Sequence, residues 1–119
     1  GVMAEQKVNA AIFGKGKYWE HVKPYLSDNL KVMVFMDNFV KASGIVSPAQ
    51  WRDLSFDKIV ICAASYKTKL EMMNQLLELG CEKEQIGFIE EYQSNYEIKV
   101  YTGLNHSKKY MIKRYSTFL

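Results

Sequence analysis

Two glycines constrain what this chain can fold into. In Val8-Asn-Ala-Ala-Ile-Phe-Gly-Lys-Gly-Lys-Tyr-Trp19 an apolar run ends at Gly14 and Gly16, and residues with helical spacing follow. The next apolar run, Leu30-Lys-Val-Met-Val-Phe-Met-Asp-Asn38, ends in an acid at Asp37, 23 positions after Gly14. Gly14 can take a backbone conformation that a Cβ disfavours, so the chain can turn sharply out of a strand. Gly16 leaves room beside that turn, and a helix starting there presents unpaired N–H groups and the positive end of its dipole. Strand, Gly-x-Gly turn, helix, strand and acid in this order make up most of the pattern that places a pyrophosphate at a helix N-terminus and a ribose hydroxyl on the acid. The third glycine of that pattern, which lets helix and strand pack closely, is replaced by Trp19. An ordinary strand-to-helix turn is the alternative reading of the same residues.

The remaining segments alternate between strand and helix. The first helix is expected from about Lys17 to Leu26, with Trp19, Val22, Tyr25 and Leu26 on its apolar face and Pro24 shortening or kinking it. Ser27-Asp-Asn29 closes it. Lys31 to Met36 is nearly all apolar, as expected of a strand covered on both faces. Ile45-Val46 is a stub of a third strand. Ser47 supplies an N-cap and Pro48 suits the first position of a helix whose buried side is Trp51 and Leu54. Lys58-Ile-Val-Ile-Cys-Ala63 is a buried strand. Ser65 then caps an amphipathic helix from about Tyr66 to Leu79, with Leu70, Met73, Leu76 and Leu77 on one face and Gly80 as its stop. Ile86 to Ile89 is a fifth strand, Tyr96 to Tyr101 a candidate sixth at an edge, and residues 104–114 a candidate last helix.

This alternation predicts an α/β fold. It has three layers, with a parallel sheet of about five strands in the order 3-2-1-4-5 and helices on both faces. In such a sheet a ligand crevice lies outside the carboxyl ends of the strands where the order reverses. The expected site residues are Gly14, Lys15, Gly16, Lys17, Tyr18, Asp37, Asn38, Ala64, Ser65 and Tyr66.

Composition bounds the rest. The chain has 119 residues, 48% of them hydrophobic and 13% aromatic, which suits one globular domain with a real core. Residues 1–91 carry 11 Lys or Arg against 12 Asp or Glu, whereas residues 92–119 carry five against one. We therefore divide the chain into a domain at 2–91 and a basic, Tyr-rich extension at 92–119 that packs on it or on a partner domain. In the extension Lys99, Lys108, Lys109, Lys113 and Arg114 lie among Tyr101, Tyr110 and Tyr115. Its net +4 is too modest to make nucleic acid the expected partner. No apolar stretch approaches the length of a membrane span. With two cysteines, Cys62 in a strand and Cys81 after a helix, a reduced cytoplasmic setting is the economical expectation. No metal-ligand spacing is present. His21 and His106 are the only histidines, and neither has a recognisable catalytic partner. The Tyr-x-x-x-Lys pattern of short-chain dehydrogenases and the motifs of Ser-His-Asp acyl transfer are missing as well, so no catalytic residue is assigned.

Ile12-Phe-Gly-Lys-Gly-Lys-Tyr18, Phe35-Met-Asp-Asn38, Val46-Ser-Pro48, Asp57-Lys-Ile-Val-Ile-Cys-Ala-Ala64 and Leu76-Leu-Glu-Leu-Gly80 with Ile86 together carry a resemblance. Over roughly residues 8–90 the chain resembles the small Rossmann-like domains of bacterial polysaccharide and sugar-nucleotide biosynthesis. Such domains are found in nucleotide-sugar epimerases and dehydratases, in sugar acyltransferases, and joined to glycosyltransferases or methyltransferases. The resemblance implies binding of NAD(H) or a nucleotide sugar, with the chemistry done by a fused or partner catalytic domain, and admits a homodimer. The chain departs from the group at Trp19 and at Phe39 to Val46, where a shorter segment replaces a longer loop over the ribose and base. Two readings compete with a binding module: a ligand-free scaffold for protein association, and a small NAD-dependent enzyme of sugar-nucleotide chemistry. Asp37 opposes a 2′-phosphate by repulsion, softened by Lys41.

Overall fold

The computed structural model describes residues 8–26, 30–94 and 97–102, with side chains described as far as residue 89. Its strands are β1 (Val8–Phe13), β2 (Leu30–Met36), β3 (Ile45–Val46), β4 (Lys58–Ile61), β5 (Ile86–Ser94) and β6 (Glu97–Thr102). Its helices are α1 (Lys17–Val22) and α2 (Tyr66–Glu78), joined by 3₁₀ turns at Lys23–Tyr25, Pro48–Asp53 and Lys83–Gln85. The strand order is β3-β2-β1-β4-β5-β6. The first five strands are mutually parallel, and β6 adds to β5 antiparallel. This is the expected three-layer α/β sheet, with its order reversing between β1 and β4.

The two faces carry separate cores. On one, Ala11 and Phe13 of β1, Met36 of β2 and Ile59 and Ile61 of β4 pack against Met73 and Leu76 of α2, with Trp51 and Leu54 alongside. On the other, Ala10 and Ile12 of β1, Val60 of β4 and Ile89 of β5 pack against Trp19 and Val22 of α1. Alternate residues of each strand serve opposite helices, the period-2 consequence of a pleated strand.

Strand β2 breaks that period. Its register against β1 shifts after the pair Ala10–Val32, so that Ala11 pairs with Val34 and Met33 has no opposite residue in β1. One inserted residue re-aims the rest of a strand. Leu30 and Val32 therefore pack on the α1 side, whereas Val34 and Met36 pack on the α2 side. The expectation that β2 is covered on both faces fails at its start: Lys31 is exposed and Met33 is 46% exposed. The apolar run reflects a change of face midway rather than two-sided burial.

The helices follow the sequence in part. Pro24 stops the α-helix early, so α1 ends at Val22 and a 3₁₀ turn follows. Tyr25 consequently leaves the buried face and is half-exposed. The segment after Ser47 is capped as expected, Ala49 N–H donating to Ser47 Oγ at 3.4 Å and Ser47 N–H to the Gln50 side-chain carbonyl at 3.1 Å, but it is a 3₁₀ turn throughout. Helix α2 closes as expected: Gly80 has φ +98°, Gly80 N–H donates to Leu77 O and Cys81 N–H to Leu76 O, both at 3.0 Å. The Ser27–Asn29 stop, the 104–114 helix, His106 and the side chains of the basic extension lie outside the described residues.

Gly14 bears the tightest constraint in the chain. Its φ is +119°, and a Cβ there would run into the Cys62 carbonyl oxygen. The collision is with backbone that already belongs to the sheet, because Cys62 N–H donates to Phe13 O at 2.8 Å and Gly14 N–H to Met36 O at 2.9 Å. Gly16 differs: its φ is −100° and a Cβ would meet nothing within 4 Å. Gly14→Ala should therefore destabilise the fold by about 2–4 kcal/mol, combining strain and a backbone clash. Gly16→Ser, which supplies a favourable N-cap, should stay within about 0.5 kcal/mol of the parent. Urea denaturation of the two variants checks both.

Candidate functional site

A cleft of about 350 Å³ opens at the carboxyl ends of β1, β2 and β4, where the strand order reverses. The first expected group of residues meets there. Gly14, Gly16, Lys17 and Tyr18 form one border, and Asp37 and Asn38 at the end of β2 form the next.

Lys15 belongs to this turn through its backbone alone. Its N–H donates to Asp37 Oδ2 at 2.8 Å, while its side chain is turned from the cleft. The ammonium lies 4.6 Å from the centre of the Phe35 ring and 5.8 Å from that of Trp19, with Glu20 at 3.8 Å. Trp19 explains this placement. The indole lies under α1, meets Phe35 edge-on at 5.1 Å and is 94% buried, so it fills the core where a third glycine would bring helix onto strand. The result is a short helix seated on an aromatic pair, with the lysine stem and charge spread over that pair.

Asp37 accepts three backbone N–H groups. Besides Lys15, Phe39 and Val40 each donate to Oδ1 at 2.8 Å, and the carboxylate is 9% exposed. Burial on its own would raise the carboxyl. The N–H groups of Val40, Lys15 and Phe39, helped by the Lys41 cation, outweigh it and hold Asp37 below the ordinary aspartate value. The side chain expected to meet a ribose is thus also a structural tie, linking the glycine turn to the chain after β2. One bond at Oδ2, against two at Oδ1, leaves Oδ2 with acceptor capacity, and Asp37 borders the cleft.

Asn38 is committed differently. Its amide pairs reciprocally with Gln75 of α2, Asn38 Nδ2 donating to Gln75 Oε1 at 2.8 Å and Gln75 Nε2 to Asn38 Oδ1 at 2.9 Å. This amide pair bolts the end of β2 to the middle of α2.

Ala64, Ser65 and Tyr66 are not among the residues bordering the cleft. Ser65 caps α2, its Oγ accepting from Thr68 N–H at 3.1 Å, and Tyr66 is half-exposed. The chain leaves β4 through Cys62 and Ala63, which do border the cleft, and the wall is then built further along α2 by Thr68, Glu71, Met72 and Gln75. The sequence signal for these four is their spacing: 68, 71 or 72, and 75 recur on one side of a helix. Phe39 also borders the cleft and is 87% exposed. Its N–H bond to Asp37 holds the backbone from which it projects.

Cys62 is a free, buried thiol. Burial pushes its thiol up to about 12, and the Lys69 cation offsets only part of that. Among the described residues no group of three or more His, Cys, Asp or Glu side chains could hold a metal ion, and no helix is long and apolar enough to cross a membrane.

No known family profile and no curated protein matches the chain.

The Asp37 ties are charge-assisted, part-buried bonds. Asp37→Ala should cost about 2–4 kcal/mol, since three N–H groups lose their acceptor. Because the folded value lies below the unfolded one, the carboxylate's contribution is complete above about pH 5, where both states are ionised, and is lost as pH falls through the folded value. The stability gap between the parent and Asp37→Asn should therefore shrink between about pH 5 and pH 2, measured as urea midpoints.

Proposed function

We propose that the protein is a binding module for a nucleotide-type ligand, NAD(H) or a nucleotide sugar, that has no chemistry of its own and serves a fused or partner catalytic domain in cell-surface glycan or sugar-nucleotide synthesis. The observation that carries this reading is the open space over Gly16. Gly14 is glycine because protein backbone crowds it, whereas Gly16 is crowded by nothing in the protein. A bare backbone facing an open cleft at the carboxyl edge of a doubly wound sheet is what close approach of a phosphate needs. Lys17 adds the cation on that border, and Oδ2 of Asp37 retains a position for a ribose hydroxyl.

The size of the cleft narrows the choice. At about 350 Å³ it sits at the low end of small-molecule sites, which span roughly 300–1,000 Å³. It suits one nucleotide-sized part of a ligand, so a dinucleotide would extend beyond it. A scaffold for protein association is the competing reading, and the exposed Phe39 speaks for it.

A thermal-shift panel of NAD(H), NADP(H), UDP-sugars, coenzyme A and S-adenosylmethionine separates the two. A ligand near 100 times its Kd adds about 2.7 kcal/mol and raises the Tm. Gly16→Val should stay folded, because its Cβ meets nothing, and should lose the shift. Absence of any shift in the parent would overturn the binding reading in favour of the scaffold.

A further inference from the structure

Most polar groups on the α2 side of the cleft are already engaged. The Asn38 and Gln75 amides hold each other, and the Thr68 hydroxyl accepts from Ser65. Glu71 differs. It borders the same cleft from α2, is exposed, and among the described residues its carboxylate makes no hydrogen bond or ion pair. The cation bordering the cleft, Lys17, comes from α1, which packs on the opposite face of the sheet. On the glycine-turn side the charges of Lys17 and Asp37 offset each other, whereas Glu71 leaves the α2 side with an uncompensated negative charge.

A carboxylate accepts hydrogen bonds and donates none, and it repels phosphate. The part of a ligand lying against α2 must bring donors and no phosphate. A hexose ring does this: two neighbouring hydroxyls can reach the two oxygens of one carboxylate, and the C–H face of the ring needs an apolar partner. Phe39 and Met72, which border the same cleft, supply that surface, and Phe39 is otherwise left almost bare to water.

We propose that Glu71 and Phe39 form a sugar subsite, Glu71 accepting ring hydroxyls and Phe39 packing on the ring. The inference rests on the nucleotide-binding reading and narrows its ligand to a nucleotide sugar, with the phosphates toward Lys17 and the glycine turn, the hexose toward α2 and the base extending beyond the cleft.

Calorimetric titration of the whole chain tests this with UDP-glucose, GDP-mannose and dTDP-glucose, each beside its own nucleoside diphosphate. One sugar nucleotide should bind at least tenfold more tightly than its diphosphate. Glu71→Ala and Phe39→Ala should each abolish that tenfold advantage while leaving the diphosphate Kd within twofold, and Glu71→Gln, which keeps one acceptor, should fall between. Both positions are exposed, and an unchanged Tm confirms that the variants fold. Equal affinity for diphosphate and sugar nucleotide in the parent, or a Glu71→Ala variant that weakens both alike, overturns the subsite and leaves nucleotide binding standing. If no nucleotide binds, the nucleotide reading falls, and free glucose, mannose and N-acetylglucosamine then decide the subsite by ¹H–¹⁵N shifts at the Phe39 and Glu71 amides. Shifts that vanish in Glu71→Ala keep it, and no shifts overturn it.

Discussion

The cleft depends on one carboxylate. Asp37 stands at the end of β2 and gathers N–H groups from both the glycine turn after β1 and the chain that follows β2. Neither segment has regular structure to satisfy those donors, and a buried N–H without an acceptor is costly. A neutral side chain of the same size would offer one acceptor oxygen and add donors of its own. An acid is required here by the backbone alone, before any ligand is considered. The acid at this point of the Gly-x-Gly pattern therefore has a structural role of its own.

The same logic separates the two glycines. Gly14 answers to the Cys62 carbonyl and Gly16 to nothing in the chain. Trp19 completes the picture from below: the indole and Phe35 support α1 without a third glycine, and Lys15 lays its side chain across them. The departure from the fingerprint is accommodated within the α1 core.

The fold was legible because each of its signals is local. Gly14 and Gly80 sit where a positive φ is needed, Ser47 and Ser65 cap the turns they precede, and the strands are short apolar runs. The errors arose where a local rule met a longer-range fact. Strand β2 reads as buried on both faces because an inserted residue switches its faces halfway, and no periodicity count detects a register shift against a neighbouring strand. The site was half legible. Its β1 and β2 borders follow from the glycines and Asp37. Its α2 border depends on where the chain leaves β4 and how α2 turns above the sheet, so Ser65 and Tyr66 were expected where Thr68, Glu71 and Gln75 stand. For Lys15 the sequence places the backbone in the turn, but the aromatic pair beneath α1 decides where its ammonium goes.

The amide pair between Asn38 and Gln75 gives the cleft a second fastening of another kind. Asp37 ties the β2 end to the glycine turn with a group that titrates, while Asn38 ties it to α2 with groups that do not. Acid weakens the first joint and leaves the second intact. The two borders of the cleft would then part unevenly, the glycine-turn side loosening while the α2 side still travels with β2. Because Asp37 is held below the ordinary aspartate value, only strong acid reaches the first joint, and at mildly acidic pH the cleft keeps both fastenings.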